Sequence, residues 1–166
     1  MGGCFLKKLC VMTALLCVLS GCAGESTMET VADEVVLTQA PARAIRVELP
    51  EETVLPVMQT DTGTLYICRD FEVSVQTLPG GDVERTITSL TGFDRSGVTV
   101  METEAGELHR FDLVWSCAGE LGPEVGRASI LSDGSYHYCL TVMTPEENAR
   151  DYQEIFNGMF ESFTIC

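Results

Sequence analysis

The feature that most limits the fold is a run of four segments in which apolar and polar residues alternate. They span residues 97–103, 108–117, 125–131 and 136–143. The gaps between them are Glu104-Ala105-Gly106, residues 119–123, and Ser132-Asp133-Gly134. Side chains alternate between two faces along a strand, and short gaps that contain Gly or Asp form tight turns. The sequence therefore predicts an antiparallel meander of four strands.

Three shorter segments with the same alternation precede this run. Ile45, Val47 and Leu49 are separated by polar residues, and residues 63–69 and 71–77 repeat the pattern. These segments predict three further strands on the N-terminal side of the meander.

Two helices are also predicted. Asp82 follows the breaker Pro79-Gly80-Gly81 and can cap a short helix. After the meander, Thr144 is predicted to be an N-cap, with Pro145 as the first helical residue and Glu147 three positions after the cap. The apolar stripe that follows consists of Ala149, Tyr152, Ile155, Phe156, Met159, Phe160 and Phe163. The predicted fold class is α+β, with a short helix inserted between strands and a C-terminal amphipathic helix packed on an antiparallel sheet.

The order of these elements resembles the PsbP-like superfamily, which includes a photosystem extrinsic protein, a Ran-binding protein and bacterial lipoproteins. The resemblance rests on Tyr138-Cys139-Leu140-Thr141-Val142, on Thr144-Pro145-Glu146-Glu147 and on the apolar stripe up to Phe163. It implies a PsbP-like fold over residues 43–165 and a docking or accessory role. It supplies no catalytic residues.

The N-terminus is typical of an export signal. Lys7 and Lys8 precede residues 9–19, an uncharged apolar segment of eleven residues that is short for a bilayer core of ~30 Å. Leu19-Ser20-Gly21-Cys22 follows and resembles the bacterial lipobox. That resemblance implies that Cys22 receives a diacylglyceryl group and becomes the first residue of the mature protein. The alternative is an ordinary secretory signal followed by a chance cysteine.

The predicted organisation has three parts: a signal peptide over residues 1–21, a lipidated cysteine with a flexible tether over residues 22–42, and one α+β domain over residues 43–166. A flexible chain of nineteen residues has a reach of roughly 25 Å, which would hold the domain at the extracytoplasmic face of the cell membrane. The alternative for the tether is a short helix docked on the domain through Val31, Val35, Val36 and Leu37.

Charge limits the partners. Without Lys7 and Lys8 the chain has eight arginines, no lysine and 25 acidic residues, a formal charge of −17. Binding to nucleic acid depends on Lys and Arg that displace counterions from phosphates, so we exclude nucleic acid as a partner. A protein partner with a basic surface is the complementary expectation.

Four cysteines remain after the leader and Cys22: Cys68, Cys117, Cys139 and Cys166. They are candidate disulfide cysteines, because their number is even and the predicted compartment permits oxidation, and three pairings are open. A direct bond between Cys117, at the end of one strand, and Cys139, within a strand two positions away, is disfavoured by the limit of about 7 Å between Cα atoms. The alternative is that some or all are buried free thiols.

Candidate chemistry is sparse. Asp61-Thr62-Gly63-Thr64 matches the tetrapeptide of aspartic proteases, but the chain has one copy of it, so a hairpin turn is the favoured interpretation. His109 and His137 are the two histidines and have no nucleophile or carboxylate at a recognisable spacing. Short Cys/His spacings for zinc and the alternating acids of a calcium loop are missing. No catalytic residue, metal ligand or cofactor is predicted.

The sequence thus predicts a membrane-tethered, extracytoplasmic accessory or docking lipoprotein that is not an enzyme. The alternative hypothesis is an extracytoplasmic hydrolase with an unrecognised active site around His109 or His137.

Replacement of the lipobox cysteine tests the anchor. Cys22→Ala removes the thiol that would accept the lipid, so the variant is expected to leave the membrane fraction or to remain unprocessed, as measured by cell fractionation and intact-mass analysis. A Cys10→Ala variant, changed within the leader, is the control. Processing and anchoring of Cys22→Ala like the parent would contradict the lipoprotein hypothesis.

Overall fold

The computed structural model describes residues 40–51 and 56–166 of the chain. The predicted signal peptide, Cys22 and most of the predicted tether lie outside the described residues. Within the described ranges, no helix is both long enough and apolar enough to cross a bilayer.

The described residues contain nine strands, two α-helices and two short 3₁₀ helices. The strands are β1 (Ile45–Arg46), β2 (Pro56–Gln59), β3 (Gly63–Ile67), β4 (Glu72–Pro79), β5 (Thr99–Ala105), β6 (Leu108–Ala118), β7 (Pro123–Ser132), β8 (Tyr136–Pro145) and β9 (Thr164–Ile165). The helices are α1 (Val83–Thr91) and α2 (Gln153–Ser162), and the 3₁₀ helices are Arg95–Gly97 and Glu146–Asn148.

Seven strands form one antiparallel sheet in the order β2-β3-β4-β8-β7-β6-β5. Strands β5 to β8 pair in sequence order, which confirms the predicted meander. Strand β8 lies next to β4, far from it in the sequence, with Val73 opposite Val142 and Val75 opposite Leu140. The predicted α+β class, with one inserted helix and one C-terminal helix, is confirmed.

Helix α1 covers one face of the sheet. Asp82 caps it as predicted, since its carboxylate accepts a hydrogen bond from the Glu84 amide at 3.1 Å. Gly92 ends it with φ 78°, a left-handed conformation that favours glycine, and its amide donates to the Thr88 carbonyl at 2.9 Å. Ile87 is fully buried against a cluster formed by Phe111, Leu113, Trp115, Ala128, Ile130 and Cys139.

Helix α2 covers the other face together with the small β1–β9 pair. Phe156, Met159 and Phe160 project from α2 into a cluster with Phe71, Val73, Tyr138, Leu140, Val142, Phe163 and Ile165. Phe71 and Phe156 meet edge to face, with ring centroids 5.2 Å apart. The sheet is therefore buried between two apolar layers, and strand residues alternate between them.

The predicted start of the C-terminal helix is wrong. Strand β8 continues through Thr144 and Pro145, which lie opposite Val125 and Glu124, and α2 begins only at Gln153. Thr144 is buried, and its hydroxyl donates to the Asp70 carbonyl at 2.9 Å instead of capping a helix. Pairing with β7 satisfies these backbone groups, and this outweighs a local capping pattern.

Two strands were not predicted, and one was predicted too long. Strand β2 consists of exposed residues without a core-facing pattern, and β9 has two residues. Strand β1 has only Ile45 and Arg46, because its partner β9 offers no more positions.

The tetrapeptide from Asp61 to Thr64 lies at the β2–β3 hairpin, where the Thr60 amide donates to the Gly63 carbonyl at 2.8 Å. The hairpin interpretation is confirmed.

The contact between Phe156 of α2 and Phe71 provides a test of how α2 packs on the sheet. Phe156→Ala should lower the free energy of unfolding by about 3–5 kcal/mol, because it removes buried apolar surface and leaves a cavity. Ile155→Ala on the same helix is the control, since Ile155 is 38% exposed, and it should cost less than about 1 kcal/mol. Denaturant unfolding of both variants measures the difference. Equal losses would show that the helix is not packed through Phe156.

Candidate functional site

A cleft of about 790 Å³ lies at the end of the sheet where β3 turns into β4 and β6 turns into β7. The segment that leaves β8 forms its third wall. We call it the acidic cleft. Its lining comprises Ile67, Cys68, Arg69, Asp70, Phe71, Glu72, Leu121, Gly122, Pro123, Glu124, Met143, Thr144, Pro145, Glu146, Glu147 and Asn148.

The charge of this cleft is one-sided. Its five carboxylates face a single arginine, Arg69, and are contributed by Asp70, Glu72, Glu124, Glu146 and Glu147. Asp70 is held in place, because the Tyr152 hydroxyl donates to its carboxylate at 2.6 Å. The cleft therefore carries a strong negative potential at a defined position.

Apolar groups adjoin these charges. Leu121 is fully exposed at the tip of the β6–β7 turn, and Ile67 is exposed at the end of β3. The cleft thus combines carboxylates with two exposed apolar side chains at its edge.

The chain reaches the domain at the opposite end of the sheet. The Tyr136 hydroxyl donates to the Ala40 carbonyl at 2.9 Å, and the Arg43 amide donates to the Tyr138 hydroxyl at 2.9 Å. Tyr136 begins the ten residues of β8, and Pro145 at their end lines the cleft. At ~3.3 Å per residue, the two ends of the sheet are about 30 Å apart.

No two of the four candidate disulfide cysteines are bonded to each other in the described ranges. Cys139 on β8 is buried and lies opposite Ile130 on β7, and Ile130 in turn lies opposite Phe111 on β6. Cys117 is six residues further along β6 than Phe111. This offset is consistent with the argument against a Cys117–Cys139 bond. Burial raises the pKa of Cys139 to about 12, and burial followed by the nearby Glu124 raises that of Cys117. Cys68 is buried at the wall of the acidic cleft, and Cys166 is exposed.

The two histidines have different surroundings. His137 is buried on β8, with its Nδ1 atom 2.7 Å from the Thr86 hydroxyl of α1. His109 is exposed on β6. The register places Glu104, His109, Ser132 and His137 in one row across the sheet, a proximity that the sequence analysis missed because it depends on strand pairing. In the described part of the chain, no side-chain hydrogen bond joins His109 to Glu104 or Ser132.

The cleft itself was not predicted from the sequence, which placed its carboxylates on the surface without grouping them. They come together because β4 lies beside β8, so that turns distant in sequence meet at one end of the sheet. The one sequence feature that indicated this grouping was the position of acidic residues at the ends of strands. Across the ranges described, no group of three or more His, Cys, Asp or Glu residues could hold a metal ion.

Comparisons with known proteins found similarity to solved structures but no matching family. No protein-family model and no curated protein match the chain. The crystal structure of LpqN, involved in cell envelope biogenesis of Mycobacterium tuberculosis, is similar at 14% identity and a TM-score of 0.48, over 75% of this chain and 84% of LpqN. The solution structure of PsbP from the cyanobacterium Synechocystis sp. PCC 6803 is similar at 12% identity and a TM-score of 0.48, over 68% of this chain and 79% of that protein. Similarity at this level assigns no residue a role.

The buried histidine generates a pH prediction. Burial lowers the pKa of His137 below its ordinary value of 6.5, although Asp133 and Asp82 act in the opposite direction. The unfolded chain therefore takes up a proton that the folded chain does not, and stability should fall as the pH drops below 6.5. His137→Asn should flatten this dependence in urea titrations between pH 7 and pH 5, whereas His109→Asn at the exposed site should preserve it. An unchanged slope in His137→Asn would contradict the assignment.

Proposed function

We propose that this protein is a membrane-tethered, extracytoplasmic accessory lipoprotein that docks a partner with a basic surface in the acidic cleft. The observation that carries the proposal is the acidic cleft itself, in which five carboxylates lie with one arginine. A lipid on Cys22 would keep the domain at the membrane surface.

Electrostatics support a basic partner. The chain has an excess of acidic residues, and the acidic cleft concentrates five carboxylates against one arginine. Complementary potentials accelerate encounter and suppress partners of like charge. Such attraction weakens with salt, because the Debye length falls to ~8 Å at physiological ionic strength.

A hydrolase is the second candidate, and one observation favours it. Glu104, His109 and Ser132 lie in a row across β5, β6 and β7, the residue types of a serine-hydrolase triad. The His109 side chain forms no hydrogen bond with either neighbour in the described ranges, and none of the three lines the acidic cleft. The docking function accounts for the cleft, and the hydrolase does not.

Charge removal in the cleft tests docking. The full chain, held in phosphatidylcholine nanodiscs, is titrated with a fluorescent decapeptide of alternating Arg and Leu. Glu146→Gln/Glu147→Gln should weaken binding about three- to tenfold, and the loss should shrink at high salt. Glu104→Gln/Glu107→Gln is the matched control, because it removes two exposed carboxylates at the opposite end of the sheet.

Equal weakening by the two pairs would show attraction to net charge rather than docking in the cleft. Turnover of an ester or peptide substrate that disappears in Ser132→Ala would establish the hydrolase instead.

A further inference from the structure

A second concave surface lies between α2 and the strands β5, β6 and β7. It has a volume of about 420 Å³, within the range of small-molecule sites. We call it the arginine groove. Its side chains come from Thr99, Met101, Arg110, Asp112, Val114, Arg127, Asn157, Phe160 and Glu161, with Leu113 and Ala128 at its floor.

Arg110 and Arg127 line this groove. Among the arginines of the described ranges, these two are half-buried and the others are exposed. The two differ in how their charge is balanced. The Nε atom of Arg110 donates to both carboxylate oxygens of Asp112, at 3.1 and 3.0 Å. Its Nη2 atom donates to the Phe160 carbonyl at 2.9 Å, in the last turn of α2, where carbonyls lack helical partners. Arg110 therefore has a structural role and a neutralising partner.

Arg127 has no such partner. Its Nη1 atom donates to the Asn157 side chain at 3.0 Å, and its guanidinium lies 4.7 Å from the centre of the Phe160 ring. Within the ranges described, no carboxylate forms an ion pair with Arg127, in a chain with a large acidic excess. Burial lowers its pKa, with Asp112 as a weaker opposing influence. A half-buried cation without an ion pair carries a desolvation cost that an anionic ligand would offset.

The charged and apolar side chains that line the groove indicate the class of ligand that it suits. The groove is lined by two arginines and two carboxylates, of which Asp112 is paired with Arg110. In the described ranges the exposed Glu161 forms no ion pair with Arg127, so Arg127 is the cation that a single negative charge can pair with. Met101 and Val114 are large apolar side chains that remain exposed beside it, at 59% and 43%. The guanidinium donates two parallel hydrogen bonds to a carboxylate in its preferred geometry.

We propose that the arginine groove binds a single-chain amphiphilic carboxylate, with its carboxylate on Arg127 and its apolar chain along Met101 and Val114. Asn157 and the Phe160 ring hold the guanidinium in position, so the site is formed before the ligand binds. The proposal is independent of docking in the acidic cleft, since the two surfaces share no residue.

The first test uses octanoate as the probe. The full chain in phosphatidylcholine nanodiscs is dialysed to equilibrium against radiolabelled octanoate, octanol or acetate, and uptake by empty nanodiscs is subtracted. Octanoate should bind more tightly than either octanol or acetate, because only octanoate has both the charge and the chain. Arg127→Gln should weaken octanoate binding about tenfold, whereas Arg150→Gln, which removes an exposed arginine, should leave it within about twofold.

A second variant avoids any loss of packing around Phe160. Met101→Glu places a carboxylate in the groove from an exposed position on an edge strand, and it should weaken octanoate binding at least as much as Arg127→Gln does. Met58→Glu is the matched control, because Met58 is 56% exposed on the other edge strand. Octanol binding as tight as that of octanoate, or octanoate binding retained in both Arg127→Gln and Met101→Glu, would overturn the proposal. Tighter binding of dihexanoylphosphatidylglycerol than of octanoate would overturn the carboxylate assignment in favour of a phospholipid headgroup.

Discussion

The pairing of β4 with β8 is the interaction on which the rest of the structure depends. Eight residue pairs, from Glu72 opposite Met143 to Pro79 opposite Tyr136, join the N-terminal hairpin to the meander. Without this ladder, β2, β3 and β4 would be a three-stranded unit separated from the meander. With it, Val73 and Val142 become neighbours in the layer that α2 covers. The same ladder places the β3–β4 turn beside the end of β8, and so builds the acidic cleft.

Burial of both faces explains where the charges lie. Along β8, Tyr138 and Leu140 pack toward α2 and Cys139 packs toward α1, so the strand has little room for charged groups. Carboxylates are left at strand ends, turns and edges, where water solvates them. Helix α2 is too short to extend over β5 and β6. Arg127 lies at the edge of the part of the sheet on which α2 packs. The acidic cleft and the arginine groove therefore both lie where apolar layers stop.

Local sequence patterns predicted the elements well and their boundaries less well. The meander, the Asp82 cap and the apolar stripe of α2 follow from side-chain period and turn chemistry, which act over a few residues. The N-cap predicted at Thr144 failed because a pairing with Val125, formed between distant residues, competes for the same backbone groups. Strand β2 was missed because its residues are exposed and carry no burial pattern. Neither surface was predicted, since each collects side chains from three or more separate segments.

The sequence by itself determined the alternation of strands, the two helices, the acidic excess and the lipobox-like segment ending at Cys22, because each is a property of composition or of a short stretch of chain. The tertiary structure alone decided that β4 would lie beside β8, that five carboxylates would share one cleft and that Arg127 would have no ion pair with any described residue. The physical reason is that hydrophobic burial selects strand neighbours by the total apolar area removed from water, a quantity that belongs to the assembled sheet and to no segment within it.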